Sequence, residues 1–271
     1  SIEIRSPSNP AVKRIRQLRS RRHREESGLF FAEGLRLAVE ASKNRDDVMS
    51  VVVCPELLRS TVGLETAARL REAGVEAMQL GSAAFASISD RDQPQGIGVV
   101  ARRRLAPIDS IDPSHAAVSV ALVGPQDPGN VGSIMRTLDA VGGSTLIFVG
   151  AHVDPYDPRS VRASMGSIFS VTLAVADMPS VLDWKRRAAT AMIGVTGDGN
   201  RHYRQLDYAD NCILLFGSER EGLSGAARDA CDDTAFIPME GRADSLNLSV
   251  AAGIVLYEAY DRRTRRHPAS H

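Results

Sequence analysis

Polar side chains in three segments of this 271-residue chain lie where strands are expected to end and helices to begin. The segment 126–137 follows an apolar strand-like run and opens a helix pattern, and Glu219 closely follows a second such run that ends at Gly217. The third segment places Ser245 and Asn247 at the start of the last long apolar helix pattern, where backbone N–H groups are free. Because α/β sheets bind ligands at the carboxyl ends of their strands, these hydroxyl, amide and carboxylate groups are candidates for ligand binding and acid–base chemistry.

The glycine after the strand-like run 213–216 suggests what kind of ligand this is. Gly217 leaves the main chain bare, and an adenine ring can lie against a bare main chain and pair with its N–H and C=O groups. The pattern therefore favours a nucleoside site, but the glycine fingerprint of a dinucleotide-binding oxidoreductase is missing. Taken alone, Ile237 and Leu246 are more often plain core residues.

Composition limits the class of protein. A hydrophobic content of 43% and a charged content of 24% are ordinary for a globular protein, and the length allows two domains or one large one. Apolar runs fall far short of the ~20 residues that a membrane helix needs, so we expect no membrane span and a cytoplasmic protein. The three cysteines are far apart and predict free thiols, and neither they nor the six histidines show metal-ligand spacing.

The charge is distributed unevenly although the net charge is zero. Eight basic residues and no acidic ones lie between positions 5 and 24, namely Arg5, Lys13, Arg14, Arg16, Arg19, Arg21, Arg22 and Arg24. Four more arginines lie between positions 262 and 266. Such clusters can match a phosphate backbone, while the plainer interpretation is a pair of solvated helices.

The first part of the chain shows two kinds of pattern. Residues 1–24 look like a basic arm with a helix start at Asn9-Pro10. Between residues 30 and 101, helix-like and strand-like runs alternate, which favours a small α/β unit.

A break separates this unit from a second alternating pattern. The stretch 102–115 contains three consecutive arginines and two prolines and predicts a linker. Continuous apolar runs in the part that follows, such as 213–216, favour a parallel sheet buried on both faces. The predicted strands of this part are 117–123, 145–149, 191–196, 213–216 and 234–237. The predicted helices are 131–141, 178–188, 223–230 and 248–262.

Taken together, the motifs resemble those of the SpoU (TrmH-like) family of RNA ribose 2′-O-methyltransferases, a branch of the SPOUT class. The segments that carry the resemblance occur in the family's order and are 126–137, 162–169, 214–222, 237–239 and 245–251. Two shorter patterns, 33–36 and 93–97, match the RNA-recognition domain of these enzymes. The resemblance therefore covers nearly the whole chain.

The resemblance implies an α/β protein with two domains. Residues 1–101 would form a basic arm and a small ribosomal-protein-like α/β domain that binds the RNA substrate, with the linker at 102–115. Residues 116–271 would form the SPOUT methyltransferase domain, whose parallel sheet carries a C-terminal trefoil knot. Periodicity does not predict the knot, which is an exception to the rule against threaded chains.

The resemblance also implies roles for individual residues. The catalytic positions that match the family's motifs are Asn130, Arg136, Glu219, Ser245 and Asn247. The positions expected to contact or line the pocket of S-adenosylmethionine (AdoMet) are Thr196, Gly217, Ile237, Met239 and Leu246. The arginines expected to meet RNA are Arg14, Arg21, Arg22 and Arg162.

The implied reaction is methyl transfer from AdoMet to a ribose 2′-oxygen, without a metal ion. We assign Arg136 to holding a phosphate and to stabilising charge on the 2′-oxygen, because a guanidinium with a pKa above ~12 is a poor base. Glu219 and a water molecule both stay open as proton acceptors.

Substrate and assembly are also expectations from the family. A separate N-terminal domain favours ribosomal RNA, with 23S RNA preferred, and members are typically homodimers. The alternatives are a transfer-RNA ribose methyltransferase and a catalytically silent RNA-binding protein. The intact Asn130, Arg136, Glu219 and Ser245 speak against the silent protein. The role could be housekeeping or resistance to a ribosome-targeting antibiotic.

Overall fold

The structure, a computed structural model, describes residues 3–113 and 118–267. Its α-helices are α1 (Pro10–Gln17), α2 (Arg21–Ser27), α3 (Leu35–Lys43), α4 (Thr61–Glu72), α5 (Ser82–Ile88), α6 (Pro128–Ala140), α7 (Pro158–Ala163), α8 (Met178–Arg187), α9 (Gly225–Asp229) and α10 (Leu248–Arg266). Its strands are β1 (Leu29–Glu33), β2 (Val48–Val53), β3 (Glu76–Gln79), β4 (Ile97–Arg102), β5 (Leu105–Pro107), β6 (Ser119–Val123), β7 (Thr145–Val149), β8 (Thr172–Ala176), β9 (Ala191–Val195), β10 (Arg201–His202), β11 (Cys212–Phe216) and β12 (Asp233–Phe236).

These elements form two compact units. The first unit contains Ser1–Arg103 and Asp154–Ser170, and the second contains Arg104–Val153 and Val171–His271. Among the described residues, no helix is long and apolar enough to cross a membrane.

The first unit is built on a four-stranded sheet with the order β1-β4-β2-β3. Strand β4 pairs antiparallel with β1 and β2, and β3 adds in parallel to β2. Helix α1 begins as its sequence predicts, because the Asn9 side chain accepts a hydrogen bond from the Ala11 N–H and Pro10 occupies the first turn.

The segment 1–24, expected to be an arm, is folded onto this sheet. Val12, Ile15 and Leu18 recur at helical spacing along it, and all three are buried in the apolar core of the first unit. Burial of these three apolar side chains stabilises the helix against the sheet, so the segment expected to be a basic arm packs within the first unit.

Arg24 does not belong to the exposed basic cluster in which its position placed it. Its side chain is only 2% exposed, its Nε donates to Asp154 Oδ2 at 2.8 Å, and its Nη1 donates to the carbonyl oxygens of Leu18 and Arg19. A buried guanidinium needs such partners, because an unpaired charge in the interior is strongly destabilising.

The same contacts explain why the segment Asp154–Ser170 belongs to the first unit. Besides the Arg24 ion pair, the ring of Phe30 lies 4.7 Å from Tyr156 and 5.7 Å from Phe169, centroid to centroid. The sequence assigned this segment to a continuous domain 116–271, because a pattern along the chain does not reveal a return to an earlier unit.

The second unit is built on eight strands with the order β10-β12-β9-β11-β6-β7-β8-β5, and every pair in it is parallel. All residues of β7 and β11 are buried, which confirms the prediction of a parallel sheet from continuous apolar runs. Phe216 at the end of β11 pairs with Leu122 of β6 and with Val195 of β9. The residues that follow these strands therefore meet at one edge of the sheet.

The expected linker 102–115 contains an element that the sequence did not predict. Leu105–Pro107 forms β5, the edge strand that pairs with β8, which was also not predicted. A three-residue strand is too short for a recognisable alternation, and its partner in the sheet determines its conformation.

Candidate active site

A cavity of about 550 Å³ opens at the carboxyl edge of the sheet in the second unit. Most of the residues proposed for the site line it, namely Thr196, Gly217, Glu219, Ile237, Met239, Ser245, Leu246 and Asn247. Segments that are up to about fifty positions apart in sequence are brought together here, because β9, β11 and β12 are neighbours and end side by side.

Glycine is required at position 217 for two reasons. It leaves the main chain open to a ligand, and the neighbouring backbone leaves no room for a side chain. A Cβ atom at this position would lie 1.9 Å from the carbonyl carbon and oxygen of Gly222 and 2.3 Å from Leu223 N. The turn after β11 closes on Gly217 because Gly222 N donates to Ser218 O at 3.0 Å. A side chain at position 217 would therefore force this turn to move.

The carboxylate of Glu219 holds the loop before α6. Its oxygens accept hydrogen bonds from Gln126 N at 3.0 Å, Asp127 N at 3.2 Å and Asn130 Nδ2 at 3.1 Å. Partial burial alone would raise the pKa of Glu219, but the hydrogen bonds from Asn130 and the backbone outweigh it and lower the pKa below its ordinary value of 4.5. Glu219 is therefore an anion that positions its neighbours.

Asn130 is fixed from both sides. Its Nδ2 donates to Glu219, and its Oδ1 accepts a hydrogen bond from Asn247 Nδ2 at 3.0 Å. Asn247 is itself held by the start of α10, where its Oδ1 accepts from Ser249 N at 2.9 Å and from Val250 N at 3.4 Å. One hydrogen-bonded network thus joins the three polar segments that the sequence placed at strand ends and helix starts.

The cavity fits the chemistry of AdoMet. Its volume lies in the usual range for small-ligand sites, and the apolar side chains of Ile237, Met239 and Leu246 suit an adenine ring and a thioether. The lining also carries Glu219, Glu221 and Asp244 against the single cation Arg220, which favours a positively charged sulfonium. Among residues 3–113 and 118–267, no cluster of His, Cys, Asp or Glu could hold a metal ion.

Comparison with known proteins identifies this arrangement. A model of the SpoU rRNA methylase family matches residues 117–257, and a model of the MRM3-like substrate binding domain matches residues 9–99. The chain belongs to the SpoU rRNA methylase family. Membership confirms the predicted resemblance, the parallel-sheet α/β fold, the methyltransferase activity and AdoMet as methyl donor.

Similar proteins from bacteria align over most of the chain. The 23S rRNA (guanosine(2553)-2′-O)-methyltransferase RlmP of Bacillus subtilis is 27% identical over 255 residues, which cover 94% of this chain and 98% of that protein. The 23S rRNA (uridine(2479)-2′-O)-methyltransferase of Streptomyces viridochromogenes is 41% identical over 162 residues, or 58% of this chain and 56% of that protein. The crystal structure of an AdoMet-bound rRNA methyltransferase from Sinorhizobium meliloti superposes with a TM-score of 0.85 at 35% identity and covers 99% of both chains.

Two residues proposed for this SpoU site do not line the cavity, namely Asn130, which bonds Glu219 and Asn247 at the cavity wall, and Arg136. Arg136 lies on α6 six positions after Asn130, and a helix turns by about 100° per residue, so the two side chains leave the helix in different directions. Its side chain is exposed and makes no hydrogen bond or ion pair with the described part of the chain. The guanidinium is therefore free to meet an external phosphate.

The arginines proposed for RNA binding all lie in the first unit. Arg14 and Arg162 are exposed, whereas Arg21 pairs with Glu25 and Arg22 with Glu26, each at 2.7 Å. The two ion pairs reduce the positive charge of α2, which the basic run up to position 24 overstated. The spacing of four residues between each arginine and its glutamate is the feature of the sequence that predicts these ion pairs on a helix.

Residues in the loop before α6 also hold this network, and the sequence did not predict their role. Asp127 caps α6, because its Oδ1 accepts a hydrogen bond from Asn130 N at 2.8 Å, and its own N–H binds Glu219. The dipeptide Asp127-Pro128 before a helix pattern is a start signal that could have identified it. Backbone donors such as Gln126 N leave no comparable signal in the sequence.

Proposed function

We propose that this SpoU enzyme methylates a ribose 2′-hydroxyl of 23S ribosomal RNA. The observation that carries the proposal is the network from Glu219 through Asn130 to Asn247 beside a cavity that fits AdoMet. AdoMet supplies an electrophilic methyl group on a sulfonium. The names of the relatives that act on 23S RNA support the choice of substrate.

The network suggests how the site orients the reacting groups. Glu219 has its oxygens occupied by three donors and has a lowered pKa, so we assign it to positioning and leave proton acceptance to water. Asn130 and Asn247 keep their amides in one orientation, and the exposed hydroxyl of Ser245 can bond the ribose. Arg136 holds a phosphate and stabilises charge on the 2′-oxygen.

Glu219→Gln is expected to lower kcat about 100-fold, because a glutamine cannot accept all three hydrogen bonds and Asn130 loses its fixed orientation. The variant should also lose about 1–3 kcal/mol of unfolding free energy near neutral pH. Since the folded-state pKa of Glu219 is depressed, its contribution is present above about pH 4.5 and is lost as the pH falls through the folded value.

Urea unfolding of both proteins between pH 3 and 7 measures this difference. Glu72→Gln is the matched control, because Glu72 is an exposed carboxylate at the end of α4 in the first unit and does not line the cavity. If the two glutamine variants behave alike in turnover and in stability, the positioning role of Glu219 is wrong.

The substrate can be tested with a labelled methyl group. AdoMet carrying a radioactive methyl group is incubated with the protein and, separately, with 23S RNA, 16S RNA and transfer RNA. We expect label in 23S RNA at one ribose 2′-oxygen. Label in transfer RNA alone would establish transfer RNA as the substrate. No label in any of the RNAs, with protein that binds AdoMet, would refute the proposed methylation of RNA.

We further propose a homodimer that forms through α10. Val250, Tyr257 and Tyr260 on this helix are 49%, 54% and 38% exposed, and Val250, Ile254 and Tyr257 recur at helical spacing. This stripe adjoins α6, since a Cβ at Gly253 would lie 4.0 Å from Thr137, so a second copy would approach the helix that carries Arg136. An apolar patch of this kind fits a two-fold interface in which each copy presents the same surface.

Tyr257→Arg is expected to convert the dimer into a folded monomer, because two added charges would face each other across the axis. Light scattering after size-exclusion chromatography measures the mass. Leu64→Arg is the control, because Leu64 is equally exposed, at 52%, but lies in α4 of the first unit. A dimer that survives Tyr257→Arg would place the interface elsewhere.

Three family expectations stay predictions. They are the C-terminal trefoil knot, a role in antibiotic resistance, and the cytoplasm as the place where the enzyme meets ribosomal RNA.

A further inference from the structure

A second cleft lies in the first unit, between helices α1 and α2 and the adjacent face of the four-stranded sheet. Its volume is about 470 Å³, which is large enough for a nucleotide-sized ligand. Every residue that lines it belongs to the first unit, so it is separate from the AdoMet cavity.

The floor of the cleft is apolar. Ile15 and Leu18 of α1 face Val100 of β4 and Met78 of β3 across it, and Met49 of β2 is 40% exposed at its edge. Methionine is flexible and polarisable and suits the face of a planar ring. Ile15, Leu18 and Val100 are only 5%, 7% and 6% exposed, so the surface open to a flat group is carried mainly by Met49 and the half-buried Met78.

The walls of the cleft offer hydrogen-bonding groups. His23 lines the cleft, and its Nδ1 is shielded from solvent without a hydrogen-bond partner among residues 3–113 and 118–267. A buried ring nitrogen without a partner is destabilising unless a ligand satisfies it. Ser50 adds a hydroxyl, and Glu76 adds a carboxylate, to the same lining.

Cations flank this cleft. Arg14 lines it with an exposed side chain, and Arg102 reaches its edge, where Arg102 Nε lies 3.1 Å from Met49 Sδ. Neither guanidinium has an ion pair with the described part of the chain. Two guanidinium groups without an ion pair beside an apolar floor match a phosphate that is attached to a ring.

We infer that this cleft holds one unstacked nucleotide of the RNA substrate, with the base on the apolar floor and the phosphate between Arg14 and Arg102. The inference rests on the proposed RNA substrate and specifies where the first unit binds it. Proteins commonly read single-stranded RNA by splaying out single bases and bonding their edges. Glu76 can only accept hydrogen bonds, so it favours a base with an exocyclic amino group over uracil.

The test uses the full-length protein and fluorescently labelled pentaribonucleotides with a uridine background and a central G, C or U. Fluorescence anisotropy at several salt concentrations gives the affinities. We expect the G-centred and C-centred probes to bind about tenfold more tightly than the all-uridine probe. Glu76→Gln should remove this preference and leave the affinity for the all-uridine probe unchanged.

Two further variants test the site itself. Arg14→Glu should weaken binding of the G-centred probe about tenfold and reduce the salt dependence by about one counterion. Lys13→Glu is the matched control, because it makes the same charge change at the neighbouring exposed position, which does not line the cleft. It should weaken binding of the probe less than about threefold. Ser50→Leu fills the cleft without a charge change and should also weaken binding of the G-centred probe about tenfold. AdoMet affinity should stay within about threefold in all variants.

The results separate the cleft from the proposed function. Equal losses of probe affinity in Arg14→Glu and Lys13→Glu would show only general electrostatic attraction and would overturn the proposed nucleotide site. An unchanged probe affinity in a folded Ser50→Leu variant would overturn it too. A wild-type protein that binds none of the probes would overturn it as well. If the wild type methylates 23S RNA while the cleft variants do so at the same rate, the cleft is refuted and the function stands. If probe binding follows the expected pattern but no RNA is methylated, the function fails and the cleft stands.

Discussion

Gly217→Ala is expected to raise the Kd for AdoMet at least 100-fold, which corresponds to about 2.8 kcal/mol of binding free energy. The added Cβ would lie 1.9 Å from the backbone of Gly222, a separation at which the turn after β11 must move. Glu219 lies in that turn, so the displacement would alter the cavity wall and the network to Asn130 together. Calorimetric titration with AdoMet measures the affinity, and the melting temperature shows whether the variant is folded.

The matched control is Gly225→Ala in the first turn of α9. A Cβ there would meet no atom within 4 Å, and the residue does not line the cavity. AdoMet affinity should stay at the wild-type value, and the helix should gain a little stability, because alanine is the better helix former. A folded Gly217→Ala variant that binds AdoMet within about threefold of the wild type would show that the cavity does not hold the cofactor.

The second large effect is expected at Arg136. Arg136→Ala should reduce methyl transfer to RNA by 100-fold or more, or about 3 kcal/mol of transition-state stabilisation, because a positioned charge beside the 2′-oxygen is lost. AdoMet affinity should change less than about threefold, since Arg136 does not line the cavity. Single-turnover methylation of 23S RNA and calorimetry with AdoMet measure the two quantities separately.

Two further variants make the interpretation specific. Arg136→Lys keeps the charge but loses the bidentate fork of the guanidinium, so an intermediate rate is expected. Arg186→Ala removes another exposed arginine, which lies on α8 and pairs with Asp183, and should leave the rate unchanged. Near-normal turnover of Arg136→Ala, or a collapse of its AdoMet affinity, would contradict the role assigned to this residue.

The sequence predicted the elements whose signals are local. Continuous apolar runs identified β7 and β11, and the Asn9-Pro10 start identified α1, because propensity and capping act over a few neighbouring residues. It failed for β5, whose three residues show no pattern of their own, and for Asp154–Ser170, whose packing partners lie in the first unit. Arg24 looked like one more surface cation, because burial of its side chain depends on Asp154, 130 positions away.

By itself the sequence determined the family, the parallel α/β sheet and the residues that gather at its carboxyl edge, because these follow from motif chemistry and from strand ends. Only the tertiary structure decided how those residues act. Asn130 donates to Glu219, 89 positions away, and Asn247 donates to Asn130, 117 positions away. With the N–H groups of Gln126 and Asp127, three donors surround the Glu219 anion. Hydrogen bonds and desolvation depend on distance in space, so a residue's charge state and role are fixed only after the chain has folded.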